Sequence, residues 1–239
     1  MGDSGTILHY DGSSWSSQLT NATGWRITSV WGSSATDVFA VGLDPQNSVV
    51  GYVTVSPVWH YDGNTWTRDT VRGCFMQAVW GSSGADVFAV GDGVLHYDGA
   101  TWYSRVPGTC ALLGIPGVSF AGVWGSGPAD VYAVGVDVVA CGRTCRKSST
   151  FIDHYDGGNW RRSLTDSLAY ITAVWGTSSA DVVVGGGIIR ANGLILHWDG
   201  TRWRREASGS AEGILAVSGS SARDVWGITS GGWVLHGTR

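Results

Sequence analysis

The amino-acid sequence predicts an all-β fold, a five-bladed β-propeller built from four-stranded antiparallel blades. Three observations support this prediction: a composition poor in helix formers, two motifs that recur along the chain, and an Asp-Gly pair inside each complete repeat. The 239 residues include 37 Gly and 14 Trp, and charged residues make up 14% of the chain. This composition favours strands and turns, because glycine and β-branched residues are poor helix formers.

Two motifs alternate along the chain. The first reads Val-Trp-Gly, a short polar stretch and then Asp-Val-Phe-Ala-Val-Gly. With drift in the later copies, it occupies residues 30–42, 79–91, 123–135, 174–186 and 217–229. The second reads His-Tyr-Asp-Gly-x-x-Trp and occupies residues 9–15, 60–66, 96–102, 154–160 and 197–203, and a truncated copy ends at His236. Such self-similarity indicates a repeat architecture.

The motifs divide each repeat into four strands, which we call a to d. Strand a ends in Val-Trp-Gly, strand b is Asp-Val-Phe-Ala-Val-Gly, strand c ends in His-Tyr-Asp, and strand d begins at the last Trp. The Asp-Gly pair between strands c and d is a strong hairpin signal, because glycine tolerates a positive φ. Strand b is apolar on both faces, so each sheet must be covered on both sides, as in a propeller.

The strand count predicts how the ring closes. The chain offers strands c and d at its N-terminus, four complete repeats, and strands a to c at its C-terminus, which is one strand more than five blades need. We therefore predict a single β-propeller domain over residues 1–239, with its ring closed by strands from both termini. Either Thr6–Tyr10 or Trp233–His236 takes the third-strand position. The alternative is a blade completed by a second chain.

Charge and hydropathy exclude some classes of protein. The net charge of −4 lacks the excess of positive charge that nucleic-acid binding requires. No apolar run approaches the roughly 18 residues of a membrane helix. The first residues show no basic stretch followed by an apolar one, so we expect no signal peptide within this sequence.

The repeat pattern Trp-Gly…Asp-Val-Phe-Ala-x-Gly…Leu-x-His-x-x-Asp-Gly-x-x-Trp resembles that of bacterial β-propeller lectins of the PLL type. It is also similar to the Asp-box of sialidases, and tachylectin-like propellers share the blade number. The resemblance covers nearly the whole chain. It implies a lectin-like, carbohydrate-binding propeller that has several weak sites between blades, performs no catalysis and binds a glycan or glycoconjugate.

Aromatic residues are the best candidates for ligand contacts. Trp and Tyr combine a flat apolar face with a polar edge, which suits stacking on a sugar ring and equally suits packing between blades. A basic patch near two long loops could meet an acidic glycan. The predicted ligand-binding residues are Trp31, Trp80, Trp124, Trp175, Tyr61, Tyr97, Tyr155, Trp198, Arg143 and Arg190.

The histidines and carboxylates predict no metal site, no cofactor and no catalytic residue. All six histidines occupy one position in strand c, so side chains of neighbouring blades are too far apart to share a zinc ion. We expect each histidine to form a hydrogen bond within its own blade. A glycosidase-like enzyme is a second alternative to the lectin, because glycoside hydrolysis requires two facing carboxylates. Its candidates are Asp44, Asp92, Asp137 and Glu212.

Loop lengths predict which face of the propeller carries function. The a–b and c–d connections hardly vary, whereas Leu43–Pro57, Val106–Ser119 and Val136–Thr150 are long. These b–c and d–a connections share one face, and variable loops on a fixed scaffold are a common place for binding. A protein-interaction scaffold that uses this face is therefore the first alternative function.

The four cysteines predict two disulfides. Cys141 and Cys145 lie in one long b–c connection, and Cys74 and Cys110 precede strand a of adjacent repeats. An even count in this arrangement favours an oxidising compartment, hence an extracellular or cell-surface protein. Reduced cysteines in a cytosolic protein are the alternative, and the sequence also allows a homo-oligomer.

Overall fold

A computed structural model describes residues 5–18, 24–43, 55–72, 75–105, 117–140, 146–167, 169–188 and 192–237. These residues form 21 β-strands and no α-helix. The predicted class, an all-β five-bladed β-propeller built from four-stranded antiparallel blades, is confirmed; among the described residues, four sheets contain four strands, and the sheets at the two ends of the chain contain two and three. Among the described residues we find no helical segment with the length and hydropathy needed to cross a bilayer.

The chain divides into two compact units, Met1–Ile115 and Pro116–Arg239. The strands of the first unit are β1 (Ile7–Tyr10), β2 (Trp15–Gln18), β3 (Arg26–Ser34), β4 (Asp37–Leu43), β5 (Val55–Tyr61), β6 (Trp66–Arg72), β7 (Met76–Ser83), β8 (Asp86–Gly91), β9 (Val94–Tyr97) and β10 (Trp102–Ser104). Strands β1 and β2 form a two-stranded sheet, and β3–β6 and β7–β10 form two four-stranded sheets in chain order. Each four-stranded sheet contains strands a to d of one repeat, as predicted.

The second unit contains two further four-stranded sheets and one sheet of three strands. Its strands are β11 (Gly117–Gly127), β12 (Asp130–Ala140), β13 (Arg146–Tyr155), β14 (Trp160–Asp166), β15 (Ala169–Ser178), β16 (Asp181–Ile188), β17 (Gly193–Trp198), β18 (Trp203–Ala207), β19 (Ile214–Ser221), β20 (Asp224–Thr229) and β21 (Val234–Gly237). The sheets are β11–β14, β15–β18 and β19–β21, all antiparallel. The last sheet corresponds to strands a, b and c of the repeat.

The Asp-Gly turns between strands c and d have the predicted conformation. Gly63 has a φ of 94°, and Asp62 Oδ1 accepts hydrogen bonds from the backbone N–H groups of Thr65 at 2.7 Å and Asn64 at 2.9 Å. These hydrogen bonds lower the pKa of the Asp62 carboxyl, the one from Thr65 most strongly. The aspartate thus closes the turn and the glycine supplies the left-handed conformation.

Strand b forms the core of each sheet because it is apolar on both faces. In β8, Val87, Phe88, Ala89 and Val90 are all fully buried. The glycine that ends the strand-b motif in the four-stranded sheets is required by a close approach to strand a. A Cβ added at Gly186 would lie 1.9 Å from the carbonyl oxygen of Tyr170, so a side chain cannot fit there without moving the backbone.

Candidate functional site

The tryptophans of strand a pack between neighbouring sheets of the same unit. A Cβ added at Gly81 would lie 2.7 Å from the Trp31 ring. A Cβ added at Gly176 would lie 2.7 Å from the Trp124 ring, and one added at Gly219 would lie 2.7 Å from the Trp175 ring. The Trp of one Val-Trp-Gly motif therefore covers the Gly of the next motif. Trp80 is half-buried at the same repeat position.

The predicted aromatic residues of strand c hold the c–d hairpins. Tyr61 donates a hydrogen bond to the carbonyl of Gly63 at 2.9 Å, and Tyr155 does the same to Gly157 at 2.8 Å. Trp198 Nε1 instead donates to the carbonyl of Ser179 in the a–b turn, at 3.1 Å. Tyr97 packs on Trp102 with ring centroids 5.2 Å apart. These contacts give the residues an architectural role, and a ligand contact at any of them stays a prediction.

Several predicted residues lie outside the described part of the chain. They are Arg143, Arg190, Cys74, Cys110, Cys141, Cys145 and Asp44. The long loops of the variable face also lie largely outside it. The basic patch, the two disulfides and the scaffold role of this face therefore stay predictions.

A hydrogen-bonded triplet ties strands a, b and c together in every described sheet that contains them. Histidine Nε2 pairs with aspartate Oδ1 in His60–Asp37 (2.7 Å), His96–Asp86 (2.6 Å), His154–Asp130 (2.6 Å), His197–Asp181 (2.7 Å) and His236–Asp224 (2.9 Å). The other carboxylate oxygen accepts from the hydroxyls of Ser33, Ser82, Ser126, Thr177 and Ser220. This confirms that these five histidines are bonded within their own sheets. Because the carboxylate lies between the hydroxyl and the imidazole, the order differs from that of a nucleophilic Ser-His-Asp triad.

In the sheet β15–β18 this network extends to a second carboxylate. The Nδ1 atom of His197 lies 3.0 Å from Oε1 of Glu206, while its Nε2 atom faces Asp181. Both ring nitrogens can donate hydrogen bonds at once when the imidazole is protonated. The contact fixes the Glu206 carboxylate at the wall of two adjoining cavities.

The first cavity, which we call the polar hollow, has a volume of about 290 Å³ and is lined by Asn192, Gly193 and residues 205–211. It lies where β17 begins and β18 ends. Ser208 Oγ donates to the carbonyl of Gly193 at 2.8 Å, and the Gly193 N–H donates to the carbonyl of Ser210 at 3.1 Å. These bonds hold the β18–β19 connection against β17. The side chains of Asn192, Arg205 and Glu206 add hydrogen-bond donors and acceptors to the wall of the polar hollow.

The second cavity, which we call the apolar groove, has a volume of about 330 Å³ and separates β15–β18 from β19–β21. Its wall includes Val183, Ile195, Val225, Leu235 and Gly237, and it shares residues 206–209 with the polar hollow.

Loss of two aromatic positions opens this groove. In the first unit, Phe39 contacts Tyr97 and Trp102 of the next sheet, with centroids 5.6 and 6.1 Å apart. Val183 stands at the position of Phe39. In the sheet that faces it, Gly237 replaces the tyrosine of strand c, and no fourth strand is present among the described residues. Sequence reasoning missed the groove, although Gly237 after the last His was a visible signal.

The described glycosidase candidates lie in or beside different sheets. Asp92 is in the turn between β8 and β9, where burial raises the pKa of its carboxyl to about 6. Asp137 is in β12, and Glu212, which precedes β19, accepts a hydrogen bond from Thr229 Oγ1 at 2.9 Å. An enzymatic role for these carboxylates stays an alternative prediction.

No family model and no curated protein matches the sequence. Solved structures of other propellers do match it. YCF48 from Cyanidioschyzon merolae is 16% identical, with 98% of this chain and 75% of that chain covered, at a TM-score of 0.62. The SapL1 lectin in complex with α-methyl fucoside is 12% identical, with 97% and 86% covered, at a TM-score of 0.59.

An Aleuria aurantia lectin in complex with Fucα1-6GlcNAc is 15% identical, with 95% of this chain and 81% of that chain covered, at a TM-score of 0.52. At these identities the likeness shows the propeller fold alone. The fold is shared with fucose-binding propeller lectins and with propellers of other kinds. The PLL type and the Asp-box character of the repeats stay predictions.

Proposed function

We propose that this protein is a non-catalytic carbohydrate-binding propeller and that one sugar ring occupies the polar hollow. The observation that carries the proposal is the hollow itself, a solvent-facing cavity of about 290 Å³ with Asn192, Arg205, Glu206 and Ser208 in its wall. The sequence resemblance to propeller lectins and the fold shared with two fucoside-bound lectins support it.

The chemistry of the hollow suits sugar hydroxyls, which both donate and accept hydrogen bonds. The Glu206 carboxylate accepts, whereas the Arg205 guanidinium donates and the Asn192 amide does both. Hydrogen bonds to charged groups are stronger than those between neutral groups, and Glu206 and Arg205 supply charges of opposite sign. A neutral monosaccharide fits this mixed wall better than an anionic one.

Equivalent positions suggest that the site is repeated. Glu206 is the third residue after the Trp that begins strand d, and the same position holds Asp69 in β6 and Arg105 in the sheet β7–β10, whereas a register shift in β14 places Leu164 there. Three of these four residues are polar, but they differ in charge. We expect several weak sites of unequal affinity, which gain avidity on a multivalent glycan.

The proposal is tested by titrating α-methyl fucoside and Fucα1-6GlcNAc in a calorimeter, after a glycan array has been used to search other sugars. Wild-type protein is expected to bind at least one glycan, and Asn192→Ala and Arg205→Ala are expected to weaken the hollow's site about tenfold. Arg161→Ala is the matched control, because Arg161 is an exposed strand-d arginine outside the hollow. An array without binding, or hollow variants that bind as well as wild type, would contradict the proposal.

We also propose an extracellular or cell-surface location, which rests on the predicted disulfides. Intact mass after thiol alkylation, measured with and without prior reduction, tests the disulfides. Four alkylated thiols in the native, unreduced protein would remove the support for this location.

A further inference from the structure

His197 lies between two carboxylates of its own sheet. Its Nε2 atom is 2.7 Å from Asp181 Oδ1 in β16, and its Nδ1 atom is 3.0 Å from Glu206 Oε1 in β18. A neutral imidazole carries one N–H group, so it can donate a hydrogen bond to only one of these carboxylates. Both hydrogen bonds form together only when the ring is protonated and carries two N–H groups.

The corresponding histidine of the sheet β7–β10 has the opposite surroundings. Arg105 occupies the strand-d position that Glu206 occupies in β18, and its Nε and Nη2 atoms lie 3.4 and 3.3 Å from Nδ1 of His96. The Tyr103 hydroxyl lies 2.6 Å from the same nitrogen. A guanidinium only donates hydrogen bonds, so Nδ1 of His96 accepts and its single N–H is on Nε2, facing Asp86. The residue at this position of strand d therefore decides which form of the histidine the sheet accommodates.

The geometry favours the Asp181 contact over the Glu206 contact when the His197 ring is neutral. The Asp181 contact is the shorter of the two, and the Asp181 side chain is 16% exposed whereas that of Glu206 is 37% exposed. Asp181 also accepts a hydrogen bond from the hydroxyl of Thr177. A neutral His197 with its N–H on Nε2, as in His96, presents the Nδ1 lone pair to the negative Oε1 of Glu206, and this contact is repulsive.

Other charged or titratable side chains surround the contact between His197 and Glu206. They are the Arg204–Asp199 ion pair, Arg205 in the wall of the polar hollow, and the His236–Asp224 pair of the sheet β19–β21. Arg204 lies opposite His197 in the strand pairing, and Asp199 neutralises its charge. His236 lines the apolar groove together with Glu206, so its charge can also attract this carboxylate. A test of His197 therefore needs a variant of His236 as well.

We propose that His197 is a positioning residue, whose protonated ring holds the Glu206 carboxylate in the wall of the polar hollow. Loss of the proton as pH rises releases Glu206 and weakens the binding of a sugar ring in the hollow. This role rests on the proposed function, in which Glu206 accepts hydrogen bonds from sugar hydroxyls. Histidine ordinarily changes its charge between about pH 5 and 8, so the contact is present at the acid end of this range and lost at the alkaline end.

The first measurement is the affinity for α-methyl fucoside at about pH 5.5 and about pH 8.5, by calorimetry. The dissociation constant of the wild type is expected to be about tenfold higher at the higher pH, because Glu206 loses the hydrogen bond that places it. His197→Gln does not titrate, and the amide of Glu206→Gln can bond either form of the imidazole, so both variants are expected to change less than about twofold. A wild-type affinity that is the same at both pH values, or a Glu206→Gln variant with the full pH dependence, overturns the proposal.

Two control variants are expected to retain the tenfold change. His154→Gln is the same substitution at the same repeat position of the sheet β11–β14, where the histidine lies 2.6 Å from Asp130. His236→Gln removes the second histidine that lines the groove beside Glu206. Far-UV circular dichroism identical to wild type shows that each variant is folded. If either control lost the pH dependence, another group than His197 would be responsible for it.

The protonation of His197 is measured without sugar, by long-range ¹H–¹⁵N correlation NMR. Both ring nitrogens are expected to be protonated at about pH 5.5, and the remaining proton is expected on Nε2 at about pH 8.5. The Glu206 Cδ resonance should shift over the same range in wild type and stay constant in His197→Gln. A proton retained on Nδ1 at the higher pH, or a Glu206 resonance that does not follow His197, overturns the proposal. If no glycan binds at any pH, the proposed function fails, whereas this titration still decides the role of His197.

Discussion

The sheets β11–β14 and β19–β21 carry the same repeat but bury it differently. Tyr132 and Trp226 occupy the same position in strand b, and each stacks on the histidine of its own sheet, with centroids 4.4 and 4.1 Å apart. Tyr132 is 3% exposed, because Trp203 of the next sheet covers it at 6.0 Å, whereas Trp226 is 45% exposed. Contacts within a sheet are thus set by its own repeat, whereas burial is supplied by the neighbouring sheet.

The largest expected effect is a difference in stability between variants of the two residues just compared, Tyr132 and Trp226. Tyr132→Ala should lower the free energy of unfolding by about 3 to 5 kcal/mol, because it empties a filled space between two sheets. Trp226→Ala should cost about 1 kcal/mol or less, since nearly half of the ring already contacts water. Guanidinium chloride denaturation of both variants measures the difference. Equal losses would show that Trp226 is covered in solution.

A second effect concerns the last residue of the strand-b motif, which is Gly186 in β16 (Asp181–Ile188). Gly186→Ala should cost about 2 to 3 kcal/mol, because its Cβ would meet the Tyr170 carbonyl oxygen at 1.9 Å. In β20 the same position holds Thr229, whose hydroxyl donates to Glu212, so Thr229→Ala should cost about 1 kcal/mol. Thermal denaturation followed by circular dichroism gives both values. Gly127→Ala is the control and should change little, because its added Cβ has open space.

The hydroxyl–carboxylate–histidine triplet should also contribute more to the free energy of unfolding in the sheet β11–β14 than in the sheet β19–β21. His154→Ala should cost about 1 to 2 kcal/mol, because it removes the imidazole 2.6 Å from Asp130 Oδ1 and leaves the half-buried carboxylate with only the Ser126 hydroxyl. His236→Ala should cost less, because His236 and Asp224 are both more exposed and lie 2.9 Å apart. Urea denaturation of the two variants at pH 7 is the measurement. A larger loss at His236 would contradict the expected order.

The smallest expected effect is a pH dependence in the turn that joins strands b and c. In β7–β10 this turn contains Asp92, whereas the turn after β20 begins with Ser230. Burial raises the pKa of Asp92 to about 6, so its charged form destabilises the folded state and stability falls as pH rises from about 4 to about 6. Asp92→Asn should gain about 1 kcal/mol at pH 7 and nothing at pH 3.5, because solvent screens this partly exposed carboxyl.

Denaturation curves at both pH values check this dependence. Asp98→Asn is the control of opposite sign, because backbone hydrogen bonds from Thr101 and Ala100 lower the pKa of Asp98. Asp98 therefore stabilises the fold at neutral pH, and this contribution is lost as pH falls. If Asp92→Asn gained the same free energy of unfolding at both pH values, the pH dependence of stability would not come from Asp92.

Local sequence chemistry predicted the strands and turns well. The prediction that Asp-Val-Phe-Ala-Val-Gly is one strand matches β8, Asp86–Gly91, and the predicted Asp-Gly turn has the expected positive φ at Gly63. Both succeed because alternation of side chains and the φ preference of glycine act over a few residues. The histidine contact was predicted too, since strands b and c of one repeat must pair.

The candidate site was predicted less well, because it depends on contacts between repeats. Trp31 and Trp124 were candidates for ligand binding, and the structure places them over the glycines of the next sheet. The polar hollow and the contact between Glu206 and His197 were not predicted. Nothing in the spacing of Glu206 indicates which ring nitrogen it meets, since that depends on side-chain direction across paired strands.

The sequence by itself determined the repeat: its four strands, its tight c–d turns and the residues that recur in each sheet. These follow from interactions within a few residues or between adjacent strands of one unit. Tertiary structure alone decided which recurring residues are covered and which face a cavity. The reason is that a sheet is buried by its neighbours, so Val183 and Gly237, where other repeats carry aromatic residues, leave a groove beside a sheet whose own hydrogen bonds are intact.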